Sequence, residues 1–453
     1  MHIHILGICG TFMTGIASLA KASGHHVTGS DKNFYPPMSH ELERLGIEVD
    51  RDYEMSQLER KPDYLIVGNV MTRGYPVIEA MLDKNIPFIS GPQWLAENIL
   101  KDRTVIVITG THGKTTTSSI LTWILEDNDY SPGYLIGGVP ENFNHSASLG
   151  NSEYFIIEAD EYDTAFFDKR PKFLHYRPNI TVINNLEFDH ADIYKDLDEI
   201  KWQFHQLLRI TPSSGKIIAN GNDENIQDVI EMGAWSPVET FGFSGVNTWT
   251  GGSEKSGNIQ ITYKDKQPVS ETWDLEGNYN IENALGAIAA ANAIGVNYQR
   301  SIRSLTTFSG VKRRLEKLGT ISGVTIYDDF AHHPTSISKT LNTIKNKKSF
   351  ERIIAVVEIR SNTMLMGLHD ESLLKSLKNI DQVYFFQSSK KPISLESNQE
   401  FNHNKMSILS DSQKLVENII REIKSGDVLI FLSNGDFQGA RELLLEKLKI
   451  LIN

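Results

Sequence analysis

Residues 105–117, VIVITGTHGKTTT, constrain the fold of this chain more than any other stretch. The first five residues are apolar or β-branched and predict a buried strand. Residues 110–113 then predict a glycine turn, and the following SSILTWILE places apolar residues at helical spacing. This order of elements forms an anion cradle, because backbone N–H groups and a helix N-terminus point at a phosphate. The stretch therefore predicts an α/β domain that binds a nucleotide.

The polar side chains of this loop suit a nucleotide with a bound metal ion. Lys114 offers a positive charge to phosphate groups, and the Thr115 hydroxyl can reach Mg²⁺. The usual motif has glycine where this chain has Ile108, yet the flanking strand and helix are those that the motif requires. The predicted contacts are Gly110, Thr111, His112, Gly113, Lys114, Thr115 and Thr116.

Length and charge limit the classes of protein that remain. A chain of 453 residues needs about three domains, and a net charge of −12 argues against a general nucleic-acid surface. The single cysteine excludes an intrachain disulfide and favours a reducing compartment. No apolar run approaches the ~20 residues of a membrane span, and MHIHILGICG starts directly as a strand. We expect a cytoplasmic protein that binds neither membrane nor nucleic acid.

Residues 3–31 predict a βαβ unit with three glycines in its turn and an acid after its second strand. The spacing is G-x-x-G-x-x-x-x-G, which differs from the dinucleotide fingerprint and disfavours a nicotinamide cofactor. The glycines can let the backbone approach a diphosphate, with the acid near a ribose or base. A later strand, residues 63–69, ends close to an arginine that could hold a phosphate. The predicted substrate contacts are Gly7, Gly10, Gly15, Ser30, Asp31, Asn69 and Arg73.

Acidic residues and a histidine follow two further predicted strands. Residues 154–161 run into three acids, and residues 179–184 lead to NLEFDH. The carboxyl ends of parallel strands share one edge of a sheet, so we expect these groups to face Lys114. Glu158 is a hard oxygen ligand for Mg²⁺, and His190 can be a metal ligand or a hydrogen-bond donor. Residues 211–276, rich in turn residues, predict an insertion of short β segments.

Two asparagines begin an alanine-rich helix after this segment. Asn280 and Asn283 lie on one helix face, where amides can read an adenine edge. Residues 308–316 form a basic joint, and the remaining strands predict another small α/β sheet with polar loops. The predicted domains are residues 1–103, 104–307 and 308–453.

These segments together resemble the Mur ligase family of ATP-dependent amide-bond-forming enzymes over essentially the whole chain. The matching motifs are GTHGKTTT, EADEYD, NNLEFDH, GNYNIEN and YDDFAHHP. Tyr279 stands where the family usually has histidine. The resemblance implies three α/β domains: a Rossmann-like UDP-binding domain, a central P-loop ATPase-like parallel sheet, and a small Rossmann-like domain that binds the peptide and closes.

The stretches GSDKNFYPPMS, FFDKRPKFLHYRPN, EIRSNTMLMG and LSNGDFQGA resemble one branch of this family. That branch joins L-alanyl-γ-D-glutamyl-meso-diaminopimelate to the lactyl carboxylate of UDP-N-acetylmuramate, through an acyl phosphate, in peptidoglycan recycling. Ile359 stands where the branch usually has proline. The alternatives are the family member that adds L-alanine, a nicotinamide oxidoreductase, and a nucleotide switch without turnover.

The resemblance also implies roles for single residues. Lys114, Glu158, His190 and His332 are the implied catalytic residues. Lys114 would contact the β- and γ-phosphates of ATP, Thr115 and Glu158 one Mg²⁺, and His190 a second. The adenine and closing contacts implied are Asn280, Asn283, Arg314 and Asp329. The peptide contacts implied are Arg360, Ser361, Asn362 and Thr363, with Ser433 and Asn434 nearby. The acceptor of the amine proton stays open among Glu161, Asp189, His190 and His332, and no lysine is assigned as carbamoylated.

Overall fold

The computed structural model describes residues 1–35, 38–254, 257–347, 349–387, 395 and 398–450. They form two compact units, Met1–Phe188 with Ile193–Gly310, and Asp189–Asp192 with Val311–Asn453. Each large sheet is mostly parallel and carries helices, so the predicted α/β class is confirmed. Within the described ranges, no helix is both long and apolar enough to cross a bilayer.

The first sheet holds five parallel strands in the order β3-β2-β1-β4-β5. Alternate residues of β1 enter different cores: Ile3 and Ile5 join one apolar cluster, and Leu6 joins another on the opposite face. Its elements are β1 (His2–Leu6), α1 (Thr11–Ala22), β2 (His26–Ser30), α2 (Met38–Arg44), β3 (Glu48–Asp50), β4 (Tyr64–Val67), α3 (Pro76–Asp83), β5 (Phe88–Ser90) and α4 (Gly91–Leu95), which a π-helical turn, Ala96–Leu100, extends.

A buried histidine in β1 makes the stability of this sheet depend on pH. His4 is 0% exposed, and its Nδ1 lies 2.9 Å from Thr28 Oγ1. Burial lowers the pKa of His4 from 6.5 to about 4. The unfolded chain therefore binds the proton first as the pH falls, and the native state loses stability between pH 6.5 and 4, by about 3 kcal/mol in total.

We expect His4→Gln, which is neutral throughout this range, to lose most of that pH dependence. Urea unfolding of both proteins at pH 7.5 and pH 4.5 measures it. A variant whose stability fell with acid as steeply as the wild type would contradict the assignment to His4.

The central sheet has ten strands in the order β17-β16-β15-β14-β13-β12-β6-β9-β7-β8. Val105 and Val107 of β6 share a core with Phe204 and Leu207 of α6, whereas α5 packs against α8. Its elements are β6 (Thr104–Thr109), α5 (Lys114–Asp127), β7 (Gly133–Leu135), β8 (Ala147–Ser148), β9 (Tyr154–Glu158), the separate pair β10 (Asp163–Ala165) and β11 (Asp168–Pro171), β12 (Ile180–Ile183), α6 (Leu197–Ile210), β13 (Lys216–Asn220), α7 (Glu224–Glu231), β14 (Val238–Gly242), β15 (Trp249–Ser253), β16 (Ile259–Tyr263), β17 (Val269–Glu271), α8 (Asn278–Ala293) and α9 (Tyr298–Ser304).

The segment predicted as an insertion is instead part of this sheet. β13 pairs parallel with β12, and β14 and β15 continue the same direction before β16 and β17 turn antiparallel. Trp249 of β15 is fully buried and stacks on Tyr263 of β16, with ring centroids 4.1 Å apart. The many turn residues of this segment therefore lie in the short loops that connect strands β13 to β17 of the central sheet.

The second unit contains one six-stranded sheet in the order β18-β19-β23-β20-β21-β22, with only β18 antiparallel. Ala355 and Val357 of β20 face one core, and Ile354 and Val356 face the other. Its elements are β18 (Glu316–Ile321), β19 (Val324–Asp329), α10 (Pro334–Asn346), β20 (Ile353–Glu358), α11 (Asn362–Leu365), α12 (Asp370–Leu377), β21 (Gln382–Phe386), β22 (Met406–Leu409), α13 (Ser412–Glu422), β23 (Val428–Leu432) and α14 (Ala440–Ile450).

Candidate active site

The loop between β6 and α5 has the backbone that an anion cradle needs. Gly110 and Gly113 have φ values of +128° and +81°, which side-chain-bearing residues rarely adopt. A Cβ on Gly113 would lie 2.2 Å from Asn283 Oδ1, and one on Gly110 would lie 2.8 Å from the Asn185 carbonyl oxygen. Among the described residues, no side chain caps α5 at Gly113. The helix N-terminus, whose first turn includes the buried Thr116, is thus suited to bind an anion.

The residues that follow β12 hold this loop in place. The Asn185 carbonyl accepts the Thr111 N–H at 3.0 Å, and its side chain exchanges two hydrogen bonds with the His112 backbone, at 2.7 and 3.0 Å. The Glu187 N–H donates to Thr111 Oγ1 at 2.8 Å, and its carboxylate lies 3.4 Å from His112 Nε2. Sequence reasoning missed this role of Asn185, although its place at a strand end was a signal.

Lys114 lies among carboxylates. Its Nζ is 3.1 Å from Glu161 Oε2 and 3.9 Å from Asp160 Oδ1, and its side chain is 13% exposed. Burial alone would lower the pKa of Lys114, but the charges of Glu161, Asp160 and Glu158 outweigh it and raise the pKa above its usual range. Lys114 is therefore a fixed positive charge at the start of α5.

Glu158, at the end of β9, lies beside Thr115. Its Oε1 accepts the Thr115 hydroxyl at 3.0 Å, and its Oε2 accepts the Gly137 N–H at 2.7 Å. A hydroxyl and a carboxylate at this distance are hard oxygen donors of the kind that Mg²⁺ prefers. The two residues fit a magnesium site next to the phosphate loop.

Of the two asparagines at the start of α8, Asn283 contacts the helix that follows the phosphate loop. Asn283 Oδ1 accepts the Thr117 hydroxyl at 3.2 Å, and the Thr117 oxygen also accepts from Asn184 Nδ2 at 2.8 Å. Asn280 Nδ2 donates to the Glu276 carbonyl at 2.7 Å. Both asparagines are buried. The Asn283 bond links α8 to α5, and the Asn280 bond links the first turn of α8 to the segment before it. The predicted contact of both residues with adenine stays a prediction.

In the first sheet, the carboxylate of Asp31, one of the predicted substrate residues, holds a turn together. Asp31 is 4% exposed and accepts the Cys9 N–H at 2.9 Å, the Asn33 N–H at 2.9 Å and the Tyr53 hydroxyl at 3.2 Å. The Ser30 carbonyl accepts the N–H of Gly7 at 2.8 Å. Asp31 therefore shapes the loop through three bonds.

The start of α1 completes this turn. Gly10 is its N-cap, and no side chain caps it. The Ser30 hydroxyl is buried without a hydrogen-bond partner among the described residues. An uncapped helix start beside a buried hydroxyl suits an anionic group such as a diphosphate.

Three predicted substrate contacts have other partners. Gly15 lies inside α1, where a Cβ would come 2.3 Å from Leu135 Cδ1, so packing explains its missing side chain. Asn69 Nδ2 donates to the carbonyl and the carboxylate of Asp163, at 2.7 and 2.6 Å. Arg73 is exposed and pairs with Glu79 through two bonds of 3.0 and 2.7 Å. Gly15 packs α1 on Leu135 of the central sheet, and Asn69 links the loop after β4 to the separate β10–β11 pair.

In the second unit, Asp189 lies among histidines. Burial alone would raise the pKa of this carboxyl. The charges of His190 and His332, together with a hydrogen bond of 2.7 Å from the His190 N–H, outweigh burial and lower the pKa to about 2. The Thr363 hydroxyl donates to Asp189 at 3.2 Å. His190 has a φ of +56°, and His332 Nδ1 lies 2.9 Å from the Phe330 carbonyl oxygen. Asp189, Thr363 and the two histidines thus form one polar cluster.

Asp329 is buried at the end of β19 and links the segments on either side of the β18–β19 hairpin through hydrogen bonds. Its carboxylate accepts the N–H of Leu315 at 2.6 Å and of Ala331 at 2.8 Å. Burial raises its pKa to about 6, against the opposing charge of Arg314. The Arg314 guanidinium lies 4.8 Å from the Phe330 ring centroid. Its neighbour Arg313, which sequence reasoning did not select, donates to the carbonyls of Ser433 and Gly435, at 2.7 and 2.5 Å.

The loops after β20 and β23 meet because these strands are neighbours. Glu358 accepts the Ser433 hydroxyl and the Phe437 N–H. Arg360 Nη1 lies 3.8 Å from Asp436 Oδ1. A Cβ on Gly435 would collide with the Arg360 side chain, so the glycine leaves room for this guanidinium.

The rest of the predicted peptide contacts lie in the same two loops. Ser361 accepts the Met364 N–H, and Asn362 starts α11, its side chain being outside the described part. Asn434 Oδ1 is buried without a partner among the described residues. Among the described residues, one edge of this sheet thus brings together the Arg360 guanidinium, the hydroxyls of Ser361 and Ser433, and the unpaired Asn434 Oδ1.

Comparisons with known proteins cover nearly the whole chain. It matches the Mur ligase family, catalytic domain, at residues 2–103, the Mur ligase middle domain at 108–291, and the Mur ligase, glutamate ligase domain, at 313–435. UDP-N-acetylmuramate–L-alanyl-γ-D-glutamyl-meso-2,6-diaminoheptandioate ligase of Escherichia coli is 48% identical, over 99% of this chain and 98% of that protein. UDP-N-acetylmuramate–L-alanine ligase of Clostridium novyi is 29% identical, over 98% and 97%. The crystal structure of a murein peptide ligase from Psychrobacter arcticus superposes with a TM-score of 0.81 at 41% identity, covering 99% of this chain and 98% of that one.

Proposed function

The chain belongs to the Mur ligase family, and from that premise we propose that it joins a murein tripeptide to UDP-N-acetylmuramate. It is an amide-bond-forming ligase of peptidoglycan metabolism. The tripeptide is L-alanyl-γ-D-glutamyl-meso-diaminopimelate, and the place of the reaction is peptidoglycan recycling. The observation that carries the proposal is the match to the Escherichia coli enzyme over 99% of this chain, since the name of that enzyme states both substrates.

A carboxylate does not acylate an amine unaided, because its oxygen is a poor leaving group. We propose that ATP supplies the activation: the lactyl carboxylate takes the γ-phosphoryl group, and ADP leaves. Lys114 neutralises charge on the β- and γ-phosphates, and the first turn of α5 donates N–H groups to them. Mg²⁺, held by Thr115 and Glu158, with a second ion on His190, would reduce the negative charge of the triphosphate.

The amine of the tripeptide then attacks the acyl phosphate carbonyl, an amide bond forms and phosphate leaves. A base must take one proton from the amine. Of the four candidates, Asp189 is a weak base because its pKa is about 2, and Glu161 is committed to Lys114 at 3.1 Å. We propose the His332 imidazole for this step, because His190 is assigned to the second Mg²⁺.

We propose that the second unit recognises the peptide. The Arg360 guanidinium suits a peptide carboxylate, and the vacant Asn434 Oδ1 suits an ammonium donor such as the free end of diaminopimelate. Arg314 and Asp329 would organise the joint that leads into this domain. Free L-alanine, the substrate named for the Clostridium novyi relative, would leave most of these groups without a partner.

The domain roles follow from these assignments. We propose residues 1–103 for the UDP-sugar, 104–307 for ATP and 308–453 for the peptide and for excluding water from the acyl phosphate. Asn280 and Asn283 are the proposed adenine contacts. A cytoplasmic location suits a chain with one cysteine and nucleotide substrates.

We expect the protein to form UDP-N-acetylmuramoyl-tripeptide when it is incubated with ATP, Mg²⁺, UDP-N-acetylmuramate and the tripeptide. Mass spectrometry of the product and phosphate release measure the reaction. We expect the kcat/KM for the tripeptide to exceed that for L-alanine by at least about a hundredfold, because alanine lacks the groups that Arg360 and Asn434 would bind. A preference for alanine would support the sibling activity, and hydride transfer or nucleotide binding without phosphate release would refute a ligase.

A further inference from the structure

A cavity of about 550 Å³ opens at the carboxyl end of α5, away from the phosphate loop. Its lining consists of Trp123, Glu126, Asp127, Asp129, Tyr134, Phe143, His145 and Ser148. Helix α5 runs from Lys114 to Asp127 over 14 residues, so its two ends are about 20 Å apart. The cavity is therefore separate from the groups assigned above to ATP, and its size is that of a small-molecule site.

The electrostatics of this cavity favour a cation. Glu126 and Asp127 lie in the last turn of α5, which has no basic residue, and Asp129 follows it. The carboxyl end of a helix carries a partial negative charge, so acids there are unfavourable without a positive partner. Glu126 has no ion-pair partner within the described residues, and burial raises its pKa. The described residues of the lining include neither lysine nor arginine.

Aromatic rings form a wall of the same cavity. Phe143 lies between Trp123 and Tyr134, with centroid distances of 5.9 and 5.3 Å, and His145 stacks on Tyr134 at 5.8 Å. Trp123 is held by a hydrogen bond of 3.0 Å from its Nε1 to the Ser304 carbonyl. Aromatic faces attract organic cations, and they also cover methylene groups.

A tyrosine hydroxyl on the cavity wall is available to a hydrogen-bonding ligand. Tyr134 is 2% exposed and lines the cavity, and its hydroxyl has no partner in the part of the chain that the structure describes. A hydroxyl can both donate and accept hydrogen bonds, so this one can bind a polar group that enters the cavity. A donor inside the cavity would satisfy both this oxygen and the Glu126 carboxylate.

We propose that this cavity binds an alkylammonium ion, a primary amine on a short methylene chain such as a diamine. The ammonium N–H groups would bond to Glu126 and the Tyr134 hydroxyl, and the methylene groups would lie on Trp123 and Phe143. An inorganic cation would use the carboxylates but not the rings. The alkylammonium ion is thus the ligand that uses both halves of the lining.

Calorimetric titration of the full chain with putrescine tests this proposal. We expect saturable binding that Glu126→Gln weakens by about tenfold and Tyr134→Phe by severalfold, since each loses a bond to the ammonium group. Trp123→Leu keeps an apolar side chain and should also weaken it severalfold. Glu153→Gln is the matched control, because it removes an exposed charge from the same domain outside the cavity.

The putrescine test can succeed or fail independently of the proposed ligase activity. Glu126→Gln should retain the ligation rate of the wild type, and 1,4-butanediol, which lacks the charge, should not bind. Undetectable putrescine binding, or binding unchanged in folded Glu126→Gln and Trp123→Leu, would overturn the proposal. Equal displacement of putrescine by Mg²⁺ alone would also overturn it, since that would indicate acids acting without the rings.

Discussion

Lys114→Ala is expected to lower the ligation rate by at least about a thousandfold, because it removes the cation assigned to the transferring phosphate. The change also leaves Glu161, which is 2% exposed, as a buried carboxylate without its partner at 3.1 Å. Such a charge costs on the order of 3 kcal/mol. Phosphate release and amide formation, measured well below the melting temperature, give the catalytic loss, and thermal unfolding gives the loss of stability.

The double variant Lys114→Ala/Glu161→Gln separates the two effects. It also removes the charge of Glu161, which has lost its ion pair with Lys114, so stability should return towards that of the wild type while ligation stays absent. Lys101→Ala, at an exposed position just before β6, is the control for losing a lysine. Ligation near the wild-type rate in a folded Lys114→Ala protein would refute the phosphate-binding role.

Glu158→Gln should reduce ligation by about a hundredfold at low Mg²⁺ concentration. Glutamine has the same size, and its oxygen can still accept a bond from Thr115 or Gly137, but it lacks the charge that a divalent ion requires. Raising the Mg²⁺ concentration should restore part of the rate. The assay is phosphate release across a Mg²⁺ titration.

Glu153→Gln, just before the start of β9, is the matched control and should leave this titration unchanged. Should Glu158→Gln titrate with Mg²⁺ like the wild type, Glu158 would not be a metal ligand. A loss of rate that no Mg²⁺ concentration repairs would instead favour a positioning role for its bonds to Thr115 and Gly137.

The local parts of the fold and site could be predicted from the sequence. The strand, glycine turn and helix at residues 104–127 follow from short-range patterns: a β-branched run, two glycines with positive φ, and apolar residues at helical spacing. The nearness of the loops after β20 and β23 was implied only by the family resemblance; in the structure these parallel strands are neighbours, so their loops meet at one edge.

Contacts between distant segments were beyond the reach of these patterns. Gly15 was read as a turn glycine, but it packs on Leu135, more than a hundred residues away. Nothing local distinguishes Arg313 from Arg314, although Arg313 donates to the loop after β23. The strands within residues 216–271 continue the central sheet because of pairing partners such as β12, which a composition rich in turn residues does not reveal.

The packing of α1 against the central sheet has a consequence for inhibitor design. Gly15 lies on Leu135, and Asn69 bonds to Asp163, so both proposed nucleotide sites belong to one packed body. A compound that connects a uridine diphosphate mimic to an adenosine mimic would meet two anchoring points at a constant separation. Such a compound should gain affinity from a stiff connector, because a flexible one loses conformational entropy on binding.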